Sequence, residues 1–327
     1  MTPPYVVSGF SRTIVRTLAA LFLLAAPASA QDTHVIVITG VAGTPEYAAN
    51  FHKWATRILE ASTKLGVQPA NMAYVSGNPD LATAQKAERS TREAVSKALS
   101  EAAKRAKPED EVFVILIGHG SFDGRVAAFN LSGPDLAASD YSTLLKQFGT
   151  TKVVFVNTAS SSGGFLEPLA GPGRTIVTAT RTGGERNDTR FPEYFVEALE
   201  TTNADSDRNG RVSIAEAFEY ANGKVKTSYE QSGHIPTEHP TLNDSADGKL
   251  AAMQFLAPPR SRSAAMATAS PALRALVEER DALEQKISGL RLRKDAMPAA
   301  EYEAQLEKLL LDLAMKSRQI EELEAKP

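Results

Sequence analysis

The chain contains no cysteine. That excludes a disulfide, a lipid anchor on a processed N-terminal cysteine, and any thiolate nucleophile. Nor does a basic block stand out among its 36 basic and 39 acidic side chains, which excludes nucleic acid as a natural partner. No apolar run reaches the roughly 20 residues that a membrane span needs. The run from Leu18 to Ala26 is about half that length.

What is present near the start is an ordered succession of residue types. Arg12 and Arg16 precede the run Leu18 to Ala26, and Ala28-Ser29-Ala30 supplies a small-x-small cleavage site. Basic, then apolar, then small is the order of a secretory signal, assigned to residues 1–30. The alternative, a membrane anchor, founders on length. The expected location is therefore periplasmic or secreted, and the lack of cysteine suits an oxidising compartment. Removing the segment takes away two arginines and no acid, so the formal charge of −3 becomes −5. With 43% hydrophobic and 23% charged residues, the composition is that of a soluble globular protein.

Short β-branched runs alternate with amphipathic stretches over residues 31–256. The runs HVIVIT at 34–39, Met72 to Val75, EVFVILI at 111–117, Lys152 to Val156 and RTIVTA at 174–179 predict buried strands. Helices are predicted over 45–62, where Phe51, Trp54, Ile58 and Leu59 share a face, and over Leu81 to Ala106, Tyr141 to Phe148 and Phe191 to Glu200. Arg125 to Leu131 reads as a small hairpin arm. Strands that are apolar throughout, alternating with helices, predict an α/β fold of three layers around a mostly parallel sheet. Sites in such sheets lie at the carboxyl ends of the strands. Gly118-His119-Gly120 and the turn from Asn157 to Gly164 both follow strands, and so should meet on one edge.

Beyond Leu256 the pattern changes. Residues 257–270 form a polar linker, PPRSRSA at its start, and 271–327 read as a helical hairpin. Leu273, Leu276, Leu283, Ile287 and Leu290 make one apolar seam, broken at Arg280. Tyr302, Leu306, Leu309, Leu313, Ile320 and Leu323 make the other, broken at Lys316, with Asp295 to Pro298 as the turn. The alternative is a single long charged helix. A hairpin of this kind offers a route to self-association.

The stretch VVFVNTASSSGGF, residues 153–165, ends a buried strand in small polar residues. That is a place where a nucleophile is often presented, with Ser160, Ser161 or Ser162 as candidates. His119, flanked by glycines after the strand VFVILI, is the partner histidine. His34, His52, His234 and His239 lack such a setting and read as structural or surface groups.

In these two motifs the chain resembles the caspase-like cysteine peptidases, and among them the bacterial relatives of the legumain family. VFVILIGHG matches that clan's strand ending in His-Gly. VVFVNTASSSGG matches its second strand ending in a small residue and cysteine with Ser-Gly soon after. The resemblance covers about residues 33–255 and places Ser160 where the family has its cysteine. It implies a caspase-like fold, a histidine that polarises the scissile carbonyl or protonates the leaving amine, and an oxyanion held by backbone amides near Gly120 and the nucleophile. It also implies a histidine too distant to deprotonate a serine, which unlike a thiol needs a base in direct contact. The segment from Thr180 to Arg186 falls where the family builds its substrate pocket. Arg181 or Arg186 is then a candidate for binding a carboxylate; the alternative is a solvated loop.

Residues 205–216, DSDRNGRVSIAE, follow the register of an EF-hand calcium loop. Asp205, Asp207, Asn209 and Ser213 offer side-chain oxygens, Arg211 a carbonyl, Glu216 the closing carboxylate, and Gly210 the sharp turn. The alternative is a helix–loop–helix turn that uses Asn and Asp as local caps. With three carboxylates and no evident second hand, the expected affinity is about 10⁻⁴ to 10⁻³ M or somewhat tighter. Asn243 to Gly248 lacks a closing carboxylate and reads as a turn.

The leading expectation is an exported pseudopeptidase that binds calcium and a peptide or protein ligand without cutting it. A second is an active hydrolase using Ser160 with His119. A third makes the domain a passive carrier for the hairpin.

Overall fold

The computed structural model describes residues 31–82, 84–244, 250–256, 270–292 and 297–324. The expected signal at 1–30, the linker apart from Ser270, residues 245–248 of the second loop and most of the turn before Pro298 lie outside the described residues.

A seven-stranded sheet organises the domain. Its strands are β1 (Thr33–Thr39), β2 (Met72–Ser76), β3 (Glu88–Arg89), β4 (Glu111–Ile117), β8 (Lys152–Asn157), β9 (Arg174–Thr178) and β10 (Thr241–Asp244), in the spatial order β10-β9-β8-β4-β1-β2-β3. All neighbours are parallel except β10 on β9. Every residue of β1 and β4 is buried, as strands covered on both faces require. Alternation then sorts them into two cores. Val35, Val37, Phe113, Ile115, Val154 and Val156 face α1 (Pro45–Lys64), α5 (Phe191–Glu200) and α6 (Ile214–Ser232). Ile36, Ile38, Val112, Val114, Val153 and Phe155 face α2 (Arg92–Arg105), α3 (Ala138–Leu145) and α4 (Leu166–Leu169). The three-layer α/β expectation is met.

Several boundaries differ from expectation for identifiable reasons. The long helix expected from Leu81 begins only at Arg92, because Thr91 caps it by accepting from Ala94 N–H at 3.2 Å. Before that cap, Pro79–Leu81 is a 3₁₀ turn and Glu88–Arg89 joins the sheet edge. The arm at 125–131 is part of a three-stranded antiparallel ribbon, β5 (Gly120–Phe122), β6 (Ala127–Phe129) and β7 (Leu136–Ala137). Asn243 and Asp244, expected in a turn, are strand residues of β10, paired with Ile176 and Thr175. The helix expected over Tyr141 to Phe148 starts at Ala138 and ends in a 3₁₀ turn, Lys146–Phe148.

At the C-terminus, α7 (Pro271–Leu292) and α8 (Ala299–Glu324) pack on each other, burying Val277, Ile287, Leu290, Leu313 and Ile320. Lys316 Nζ pairs with Glu279 Oε2 at 2.5 Å, so this interruption of the seam is an ion pair between the helices. Among the described residues, neither apolar core of the domain includes a hairpin side chain.

Candidate functional site

Strands β4 and β8 lie side by side in parallel register, Leu116 opposite Asn157. Both therefore end at the same sheet edge, which brings Gly118-His119-Gly120 beside Thr158 to Ser161, as the motif order implied. The approach is close enough to demand glycine at one position. A Cβ on Gly120 would lie 2.3 Å from the Ser160 carbonyl oxygen.

The structure holds Ser160 differently from the exposed turn that a nucleophile needs. The residue is 5% exposed. Its Oγ accepts from Gly120 N–H at 3.2 Å and donates to Gly120 C=O at 3.1 Å. The serine thus occupies the amide that the family resemblance assigns to an oxyanion. Ser161 follows with φ of 57°, a left-handed conformation that costs a non-glycine residue about 1–3 kcal/mol. Its N–H is tied to Glu185 C=O at 2.7 Å, and its buried Oγ has no hydrogen-bond partner among the described residues. Ser162 Oγ is paired with Thr180 Oγ1 at 3.2 Å and accepts from Thr180 N–H at 3.1 Å. Two of the three candidate hydroxyls are therefore structural ties.

His119 turns to other partners. Its Nδ1 lies 3.3 Å from Asp188 Oδ1, and the Tyr47 hydroxyl donates to the other oxygen of that carboxylate. The ring stands edge-on to Tyr47 at 4.7 Å and to Phe51 at 5.2 Å. A proton on Nδ1, donated to Asp188, leaves Nε2 as an acceptor. Among the described residues there is no hydrogen bond between His119 and Ser160. The contact with Asp188 pushes the Tyr47 phenol above its ordinary pKa, with lesser contributions from burial and the Asp188 charge. Asp188 and Tyr47 were not singled out in the sequence. Asp188 is one polar residue in a loop of many, and Tyr47 sits in the first turn of a helix far along the chain.

The loop after β9 is organised by Glu185, which accepts from Arg181 N–H at 3.1 Å and His239 N–H at 3.0 Å, with His239 Nδ1 at 3.0 Å. Buried Glu238 accepts from the N–H groups of Arg190 and Phe191 at 2.7 and 3.2 Å, fixing the start of α5. Arg181 and Arg186 are exposed, and the Arg186 guanidinium lies 5.9 Å from the centre of the Phe122 ring.

Between α5 and α6, and at the start of α6, the carboxylates of Asp205, Asp207 and Glu216 converge, their oxygens within 4.8 Å of one another. Gly210 at φ of 81° makes the turn that a side chain would strain. Asp205 accepts from Asn209 N–H at 3.0 Å and Gly210 N–H at 2.8 Å. Glu216 accepts from the N–H groups of Ser206 and Asp207 with one oxygen and from Ser213 with the other. Burial, and then the nearby Glu216 and Asp207 charges, raise the Asp205 carboxyl pKa against the pull of those amides. Asn209 Oδ1 is turned to Arg211 N–H at 2.9 Å, and Ser213 Oγ caps α6 by accepting from Glu216 N–H at 3.2 Å. Three of the six expected ligands are thus assembled. The capping box accounts for Ser213 with Glu216, but not for the convergence of Asp205 and Asp207 on that carboxylate. An all-oxygen set of three carboxylates fits a hard cation such as Ca²⁺. Ser213 bridges to Phe255, and Ile214 N–H donates to Gln254 C=O at 2.9 Å.

No curated protein matches the chain. A solved crystal structure of a protein from Geobacter sulfurreducens is similar to it at 12% identity, over 65% of this chain and 92% of that one, with a TM-score of 0.44. Among the described residues, no helix is long and apolar enough to cross a membrane. The profile of the Peptidase C13 family matches residues 83–242, a span that includes His119, Gly120, Ser160 and the loop around Glu185. Over residues 83–242, just under half of its length, the chain is therefore similar to the Peptidase C13 family, and the parallel sheet brings the two matched motifs together.

Proposed function

We propose that this is an exported, non-cleaving member of the family, a calcium-binding module that receives an extended peptide or protein segment at the peptidase-shaped edge. The observation that carries the reading is the pairing of Ser160 with Gly120 in place of His119. A serine hydroxyl needs a base in contact to become a nucleophile, and an oxyanion needs a free amide. At Ser160 the base is absent and the amide at Gly120 is engaged. Export is supported by the basic, apolar and small residues ordered between Arg12 and Ala30. Calcium is supported by the register of Asp205 to Glu216 and the convergence of three of its carboxylates; Asp205, Asp207 and Glu216 would hold the ion and the loop's order would gain from it. Arg181 and Arg186 would meet acidic side chains of a ligand at the rim.

Binding is tested by fluorescence polarisation with a panel of labelled extended peptides, acidic and neutral. The reading expects saturable binding that survives Ser160→Ala. Ser160→Cys should be labelled by a thiol-directed peptide electrophile, because a thiolate forms with less help than an alkoxide. Absence of both saturable binding and labelling would remove the peptide-binding reading.

One observation favours an active hydrolase instead. Asp188 stands behind His119 as an orienting carboxylate would. That reading requires the Ser160 hydroxyl to leave Gly120 and reach Nε2 of His119 when a substrate arrives.

A further inference from the structure

Arg280 interrupts the apolar seam of α7, yet it is only 6% exposed. Its Nε lies 3.6 Å from Glu284 Oε1, and the other oxygen of that carboxylate is 3.4 Å from the guanidinium of Arg211. Arg211 belongs to the 205–216 loop. Its guanidinium carbon also lies 3.4 Å from the centre of the Phe255 ring. Phe255 is in turn bridged to Ser213 of the same loop, and its neighbour Gln254 accepts from Thr175 Oγ1 of β9 at 2.6 Å. A continuous set of contacts therefore runs from the sheet, through the strap at 254–255 and the loop, to the hairpin.

Two features make this set a latch and not ordinary packing. Among the described residues the hairpin shares no apolar core with the domain, whereas Glu284 of α7 pairs with Arg211 of the loop. Charges removed from water repay their desolvation only when geometry is good, so docking should be sensitive to where Arg211 stands. Arg211 stands where its own backbone places it, in the middle of a loop whose carboxylates repel one another when nothing lies between them.

We propose that the C-terminal hairpin is a releasable element latched to the domain through Arg211 and Glu284, so that the ordering of the 205–216 loop sets whether the hairpin is docked. The signal rests on the calcium reading given above, with calcium favouring the docked state. By linkage, docking and ion affinity must then strengthen each other.

The test takes advantage of the absence of cysteine. Glu219→Cys on α6 and Ala282→Cys on α7, both exposed positions, allow two spin labels on the full mature chain without background labelling. With millimolar calcium, the distance distribution between the labels should be single and narrow, and with a chelator it should broaden to longer distances. Arg211→Met, which keeps an apolar stem over Phe255, and Glu284→Gln should each give the broad distribution even with calcium. Calorimetry on the same variants adds a readout that a local field effect fails to mimic. Removing a positive charge near the loop should by itself tighten calcium binding, and removing a negative one should weaken it. Coupling through the latch weakens both, by about fivefold or more. If both variants keep the narrow distribution, or if calcium binds and leaves the distances unchanged, the latch is overturned. If calorimetry detects no calcium at all, the calcium reading fails by itself, and the latch is judged on the two variants' distances.

Discussion

The Ser160 hydroxyl and the Gly120 backbone are held face to face, the oxygen accepting from N–H at 3.2 Å and donating to C=O at 3.1 Å. A side chain at Gly120 would intrude on this contact, since its Cβ would meet the Ser160 carbonyl at 2.3 Å. Gly120→Ala is expected to destabilise the domain by about 1–3 kcal/mol, the usual range for overpacking. Urea denaturation checks this, and an unchanged midpoint would show that the two loops lie further apart.

Glu111, the first residue of β4, gives a pH dependence with a definite sign. Burial pushes its carboxyl up from 4.5 to about 7, despite the opposing pull of Lys152, the Phe255 amide and Arg211. Below about 4.5 the folded and unfolded chains both hold the proton. Between about 4.5 and 7 the folded chain holds it more tightly, so this group's contribution to stability falls as pH rises through that window. Above the window the loss is complete, at roughly 3 kcal/mol from 1.36 kcal/mol per unit. Glu111→Gln should therefore melt higher than the parent at pH 8, with the advantage gone near pH 4.5. A difference that is the same at both pH values would contradict this.

Much of this architecture was legible in the chain because strands such as VIVI and VFVILI are apolar at every position, which only a doubly covered sheet explains. The site's location followed from two strands ending in His119 and Ser160. What the chain concealed depends on contacts between distant residues. Nothing local in Tyr47 or Asp188 announces that they meet at His119. Ser160 reads as an exposed turn residue until the ribbon at 120–122 is folded over it. Lys316 looks like a break in a seam because its partner Glu279 lies on the other helix, and nothing local ties Glu284, four residues beyond Arg280, to Arg211. The Ala- and Lys-rich stretch from 81 suggested helix by composition, and the cap at Thr91 decided otherwise.

Calcium binding should appear in calorimetry as about one ion per chain, in the range of 10⁻⁴ to 10⁻³ M or somewhat tighter. Glu216→Ala should abolish it. Because Glu216 also accepts from Ser213 N–H at the start of α6, the gentler Glu216→Gln serves as a control that keeps that helix while weakening the ion. Unchanged affinity in the alanine variant would exclude the loop as the site.

Removing residues 265–327 should leave the domain folded, with a melting temperature within a few degrees of the full chain. Neither apolar core of the described residues draws on the hairpin, so the deletion opens no cavity in them. Loss of the sheet's circular dichroism on truncation would place the hairpin inside the domain's folding unit.

The central claim is that the Ser160 turn keeps the shape of a peptidase site without its chemistry. The most direct measurement is turnover of internally quenched extended peptides by the chain from Gln31 onward and by its Ser160→Ala variant, side by side, with calcium present. No turnover above background in either protein is expected, because the hydroxyl is bonded to Gly120 and, among the described residues, no base touches it. Peptide cleavage by the parent that Ser160→Ala abolishes would contradict the claim and make Ser160 a working nucleophile.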